Sequence, residues 1–171
     1  MTEGSKHILL PVNPMFIGLT LAIAFLLNVQ PWGRMVGMPD FVALVLVFWG
    51  VHQPRRVGIG IAFCMGLLMD VNDATLFGES ALAYTVLSYL AITIHRRLLW
   101  FSLRKQAVHI LPLLILAQLT QMLVQFLIDD RFAGWIYLLD SVVGAALWPL
   151  ISVMFLAPQR RAVNKDLDRP L

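Results

Sequence analysis

The chain has 171 residues, 59% of them apolar and 13% charged, with a mean hydropathy of +0.77; an average soluble domain carries about 25% charged residues, so a water-soluble globule is excluded. Several apolar runs reach the roughly 20 residues an α-helix needs to cross about 30 Å of hydrocarbon, and they are continuous rather than alternating at period two, which excludes a transmembrane β-barrel. The net charge is +3, yet the basic residues sit in short clusters between apolar runs, a pattern that speaks to membrane orientation and not to nucleic acid.

In chain order, Asn13-Pro14 reads as an N-cap followed by proline at the first helical position and opens a helix over residues 14–30. Cleavage of this segment as a secretory signal is not expected, because its small-x-small site, Ala22-Ile23-Ala24, lies inside the apolar stretch. Pro39-Asp40 opens a second helix over 39–53, and Pro54-Arg55-Arg56 separates it from a third over 56–71. Runs of about 15 residues span only about 23 Å, so both must borrow flanking residues or lie where the bilayer thins. Further helices are expected over 78–95, 107–128 and 135–157, followed by a polar tail over 158–171. The whole chain reads as a single all-α polytopic membrane domain of six spans. Cys64 lies within an apolar segment, which removes a disulfide framework and reads as a small buried apolar residue.

Charge sets the expected orientation, since short cytoplasmic loops hold an excess of Lys and Arg. With six spans and both termini inside, eleven of the thirteen basic residues are cytoplasmic: Lys6, Arg55, Arg56, Arg96, Arg97, Arg104, Lys105, Arg160, Arg161, Lys165 and Arg169. Arg34 and Arg131 remain outside, together with Asp40, Asp70, Asp73, Glu79, Asp129, Asp130 and Asp140. Trp32, Trp100 and Trp135 near span ends suit the interfacial aromatic belt.

The polar residues within the spans are the candidates for function. Gly58, Ala62 and Gly66 form a stripe of small residues leading to Asp70, fit for close helix packing within the protein or against a partner chain. Asp70 either turns into the following loop and binds backbone amides near Asn72 and Asp73, or meets a partner. Gln118, Gln121 and Gln125 keep one face of the fifth helix polar, and Asp140, Gly144 and Trp148 share a side of the sixth before Pro149, which is expected to kink or interrupt it. Together Asp70, Gln121, Gln125 and Asp140 form either interhelical glue or an outward groove for a ligand or another helix. No nucleophile with its base, acid/base carboxylate pair or metal constellation has a specific spacing. His7, His52, His95 and His109 all fall at the cytoplasmic end, away from the acids, so no catalytic residue, metal or cofactor is expected.

Pro39-Asp40-Phe41, Phe48-Trp49, Pro54-Arg55-Arg56-Val57-Gly58-Ile59-Gly60, Phe63, Gly66-Leu67-Leu68-Met69-Asp70, Leu76-Phe77-Gly78 and Tyr89-Leu90 resemble the MreD family of bacterial rod shape-determining proteins. A weaker match follows at Asp140-Ser141-Val142-Val143-Gly144 and Leu147-Trp148-Pro149, and Phe77 departs from the pattern by lengthening its loop. The resemblance implies a non-enzymatic scaffold of the inner membrane, working in cell-wall elongation and peptidoglycan synthesis. Its implied partners are MreC, then MreB and the RodA and penicillin-binding-protein synthase pair, with membrane lipid around it. It also implies a fold similar to the substrate-binding subunit of energy-coupling-factor transporters, whose rival function is binding a small molecule, with Gly18 and Ala22 facing a transport partner.

Overall fold

A computed structural model describes residues 13–30, 37–129 and 134–157. Among them the regular structure is helical: α1 (Pro14–Val29), α2 (Phe41–His52), α3 (Ile59–Asp73), α4 (Glu79–Leu98), α5 (Leu103–Asp129) and α6 (Leu138–Leu156), the last entered through one 3-10 turn at Trp135–Tyr137. The expectations placed on Lys6, His7, Trp32, Arg34, Asp130, Arg131 and the tail over 158–171 lie outside the described residues.

Local chemistry fixes the helix starts. The Asn13 side chain accepts from the Met15 amide at 3.0 Å, with Pro14 at the first helical position. Asp40 caps α2 in the same way through the Ala43 amide at 3.0 Å. α3 begins at Ile59 rather than 56 because the Arg56 and Val57 amides are held by the Gln53 carbonyl in a turn. α4 runs one turn past residue 95 and α5 begins four residues before 107; Arg96, Arg97, Arg104 and Lys105 are good helix formers that an apolar run does not mark. α6 continues through Pro149 to Leu156, so this proline does not interrupt the helix.

Along the chain α1 packs on α2, α3 on α4, α4 on α5 and α5 on α6, and α2 also contacts α4 and α6. That places α2 at the centre. Every residue from Val42 to Val51 is buried, which explains a run that is apolar all round and means that its short length faces protein instead of lipid. α5 and α6 are the two helices long and apolar enough to cross a membrane. Cys64 is exposed, not buried: the small residues Ala62 and Gly66 turn inward on α3, leaving Cys64 with Ile61, Phe63 and Leu68 on its apolar outer face.

The hydrogen bonds and ring contacts show two ends. At one, the C-terminal ends of α1, α3 and α5 meet the N-terminal ends of α2, α4 and α6. Among the described residues, all six carboxylate residues (Asp40, Asp70, Asp73, Glu79, Asp129, Asp140) belong to this end and all six of Arg55, Arg56, Arg96, Arg97, Arg104 and Lys105 to the other. The half of the core nearer the basic end is aromatic: Phe16, Phe48, Trp49, Trp148 and Phe155 pack with ring centroids 5.0–6.4 Å apart. Its indole groups are satisfied, Trp49 Nε1 by Thr20 Oγ1 at 2.9 Å and Trp148 Nε1 by Gln106 Oε1 at 3.3 Å.

Candidate functional site

The acidic end is built from two carboxylates that hold the fold and one that leaves capacity to bind. Asp70, 1% exposed, directs its Oδ2 to the Gly78 amide at 2.8 Å and its Oδ1 to the Ser80 amide at 2.7 Å. It therefore caps α4 from a distance of eight to ten residues, satisfying amides that the helix start leaves without partners. Gly78 supplies the left-handed turn (φ +103°) that aims those amides back at α3. The amides are those of Gly78 and Ser80, not ones near Asn72 and Asp73, and Asp70 lies outside the cleft described below.

Asp40 is the hub that the sequence analysis left out of the candidate set. Oδ1 accepts from Asn28 Nδ2 at 2.7 Å and from the Ala43 amide, while Oδ2 accepts from the Tyr84 hydroxyl at 2.6 Å. Asn28 Oδ1 in turn accepts from the Phe41 amide at 3.1 Å. One carboxylate thus ties α1, α2 and α4 together. Its signals in the sequence are the Pro-Asp pair before an apolar run, its place among the outward acids and the Pro39-Asp40-Phe41 motif, none of which names a bonding partner.

Asp140 falls in the first turn of α6, nearer its end than the sequence suggested, and accepts from the Gly37 amide at 2.6 Å. Between α2, α4, α5 and α6 lies a cleft lined by Asp40, Tyr84, Gln118, Gln121, Asp140 and Gly144 among others. Gln118 accepts from the Ser141 hydroxyl, whereas Gln121 makes no hydrogen bond among the described residues. Gln125 is turned away from the cleft and donates to Glu79 Oε1. The interior of the cleft amounts to about 20 Å³, room for about one water, and ligand pockets for small organic molecules run to roughly 300–1,000 Å³. Chemically, the Asp140 carboxylate and the Gln121 amide can meet donors and acceptors from outside.

The small residues divide. A Cβ on Gly66 would lie 2.7 Å from the Ser80 carbonyl oxygen and closer still to the Ala81 backbone, so α3 and α4 touch there backbone to backbone. Ala62 is fully buried in the same seam. Gly58 departs from the expectation: as the residue before α3 it has nothing within 4 Å of a Cβ, and Gly60 has open space as well. Gly144 is approached by the Leu114 and Leu44 side chains at 3.2 and 3.6 Å.

His52 and His109 each place Nδ1 2.9 Å from a carbonyl one turn back, of Phe48 and Lys105, and stack on Phe48 and Phe101. They act as parts of their helix ends.

A family profile described as rod shape-determining protein MreD matches residues 11–157. The chain belongs to the MreD family. A rod shape-determining protein MreD of Haemophilus influenzae is 28% identical over 141 residues, covering 81% of this chain and 87% of that one. No solved structure matches. Membership places this MreD-family chain among the rod shape-determining proteins. Every helix described above falls inside the matched span.

Proposed function

We propose that this MreD-family chain is a six-span, non-enzymatic scaffold of the bacterial inner membrane, acidic end outward, that holds the membrane helix and adjacent outer region of MreC within the cell-wall elongation complex. The observation that carries the orientation is the complete separation of described basic and acidic residues onto opposite ends; basic residues are retained on the cytoplasmic side. The family supports the role in cell shape. MreB and the RodA and penicillin-binding-protein synthase pair belong to the wider complex in this reading.

The competing function, a small-molecule-binding subunit of a transporter, needs an outward pocket of metabolite size. A cleft with room for about one water favours the scaffold. Asp140 and Gln121 are the groups assigned to the partner, whose amide or basic side chains would match them while its apolar surface covers the remainder.

Co-purification tests this reading. Asp140→Ala and Gln121→Ala should each weaken retention of MreC, the former by about tenfold, the usual consequence of losing one hydrogen bond to a charged group, while membrane insertion and yield stay at wild-type level. Undiminished MreC retention in both variants, with a stoichiometric metabolite lost from the same preparation, would instead establish the transporter reading.

A further inference from the structure

A second concavity lies at the opposite, basic end. The seam between the first two turns of α1 and the start of α3 opens into a groove of about 440 Å³, lined by Pro14, Ile17, Gly18, Leu21, Arg56 and Ile61. Ile17 and Leu21 are buried and make its floor. Gly18 has nothing within 4 Å of where a Cβ would stand, so the wall on that side is backbone alone. Arg56 is the charged residue of the lining, and both it and its neighbour Arg55, in the turn between α2 and α3, are exposed.

We infer that this groove is a binding site for an anionic glycerophospholipid of the cytoplasmic leaflet, its phosphate at Arg55 and Arg56 and an acyl chain along Ile17, Gly18, Leu21 and Ile61. Three features select this occupant. The groove is apolar with positive charge confined to its membrane-surface end, the polarity of a lipid with a negative headgroup and a hydrocarbon tail. Planar guanidinium groups match phosphate oxygens in pairs, and basic pockets between helices at the cytoplasmic face are where anionic headgroups bind. From Pro14 to Leu21 the groove follows α1 for only about 10 Å, whereas a partner's membrane helix would need a seam of about 30 Å. The sidedness rests on the orientation proposed above; the site itself does not.

Native mass spectrometry of the detergent-purified full-length chain, titrated with phosphatidylglycerol or phosphatidylcholine of the same acyl chains, tests the assignment. Wild type should retain phosphatidylglycerol in preference to phosphatidylcholine. Arg55→Gln and Arg56→Gln should each bind phosphatidylglycerol about fivefold more weakly, and Gly18→Phe should displace the lipid by filling the groove, its lipid-free thermal unfolding unchanged. Equal retention of the two lipids, or an anionic preference surviving both Gly18→Phe and the double arginine variant, overturns the site. Because binding in detergent has no sidedness, labelling of an Arg55→Cys variant from the outer face of intact cells would overturn the orientation and leave the lipid site standing.

Discussion

At the scale of single residues, the acidic side chains divide by what they already hold. Asp70 holds the start of α4 and is buried; removing it strands the Ser80 amide, and an unsatisfied buried donor costs about 1–3 kcal/mol. Asp70→Ala should therefore lower thermal stability in detergent by about 2–4 kcal/mol, with the long-range cap lost as well. Asp140→Ala, whose side chain is part-exposed, should change it far less. If Asp70→Ala melted like wild type, its bonds to Gly78 and Ser80 would not be holding the turn. Tyr84→Phe removes only the hydroxyl donated to Asp40 and should cost about 1.5–3 kcal/mol, as for other bonds to a charged acceptor; Asp40→Asn combined with Tyr84→Phe should cost less than the sum, because the two groups share one bond. The residue types were legible in the sequence, and the membrane rule that carboxylates face protein singled out Asp70 and Asp140. Their partners were not legible. A cap supplied from ten residues away, or an Asp40–Tyr84 pair 44 positions apart, has no local signature.

At the scale of helices, the α3–α4 seam is the contact most sensitive to side-chain volume. Gly66→Ala would drive a methyl group into the Ala81 backbone, which cannot swing aside as a side chain can. Overpacking of this kind typically costs about 1–3 kcal/mol, and the variant should extract with a lower unfolding temperature. Gly60→Ala, in open space inside the same helix, should be neutral or raise stability by about 0.5–1 kcal/mol, since alanine is the better helix former. Equal behaviour of the two variants would show that α3 does not meet α4 through Gly66. Four-residue spacing identified the stripe but gave Gly58 the same weight as Gly66. The difference arises because Gly58 precedes the helix and only Gly66 lies where α4 crosses. Helix cores were legible from apolar runs and from Asn13, Asp40 and the prolines. Ends at Leu98 and Leu103 were not, because charged residues extend helices as readily as apolar ones.

At the scale of the whole molecule, charge separation carries the orientation. In a Cys64→Ala background, Phe77→Cys in the exposed α3–α4 loop should react with a membrane-impermeant thiol reagent on intact cells, whereas Trp100→Cys between α4 and α5 should react only after lysis. The reverse pattern would turn the molecule over. The segregation of charge was readable from the sequence because it depends only on which loops alternate; the size of the cleft was not, because it depends on how four helices lean together. The enclosure of α2 also bears on synthesis. α2 leaves the ribosome early, yet one of its walls, α6, begins at Leu138, about 90 residues later. At ~5–20 residues per second that is a delay of roughly 5–20 s. During that interval a 12-residue helix that cannot cover the hydrocarbon thickness by itself has no complete protein shell. The nascent chain must shelter it, so α2 is the point at which an insertase or a membrane chaperone has the most to hold, and where slowed translation of α4 to α6 would most readily misroute the chain.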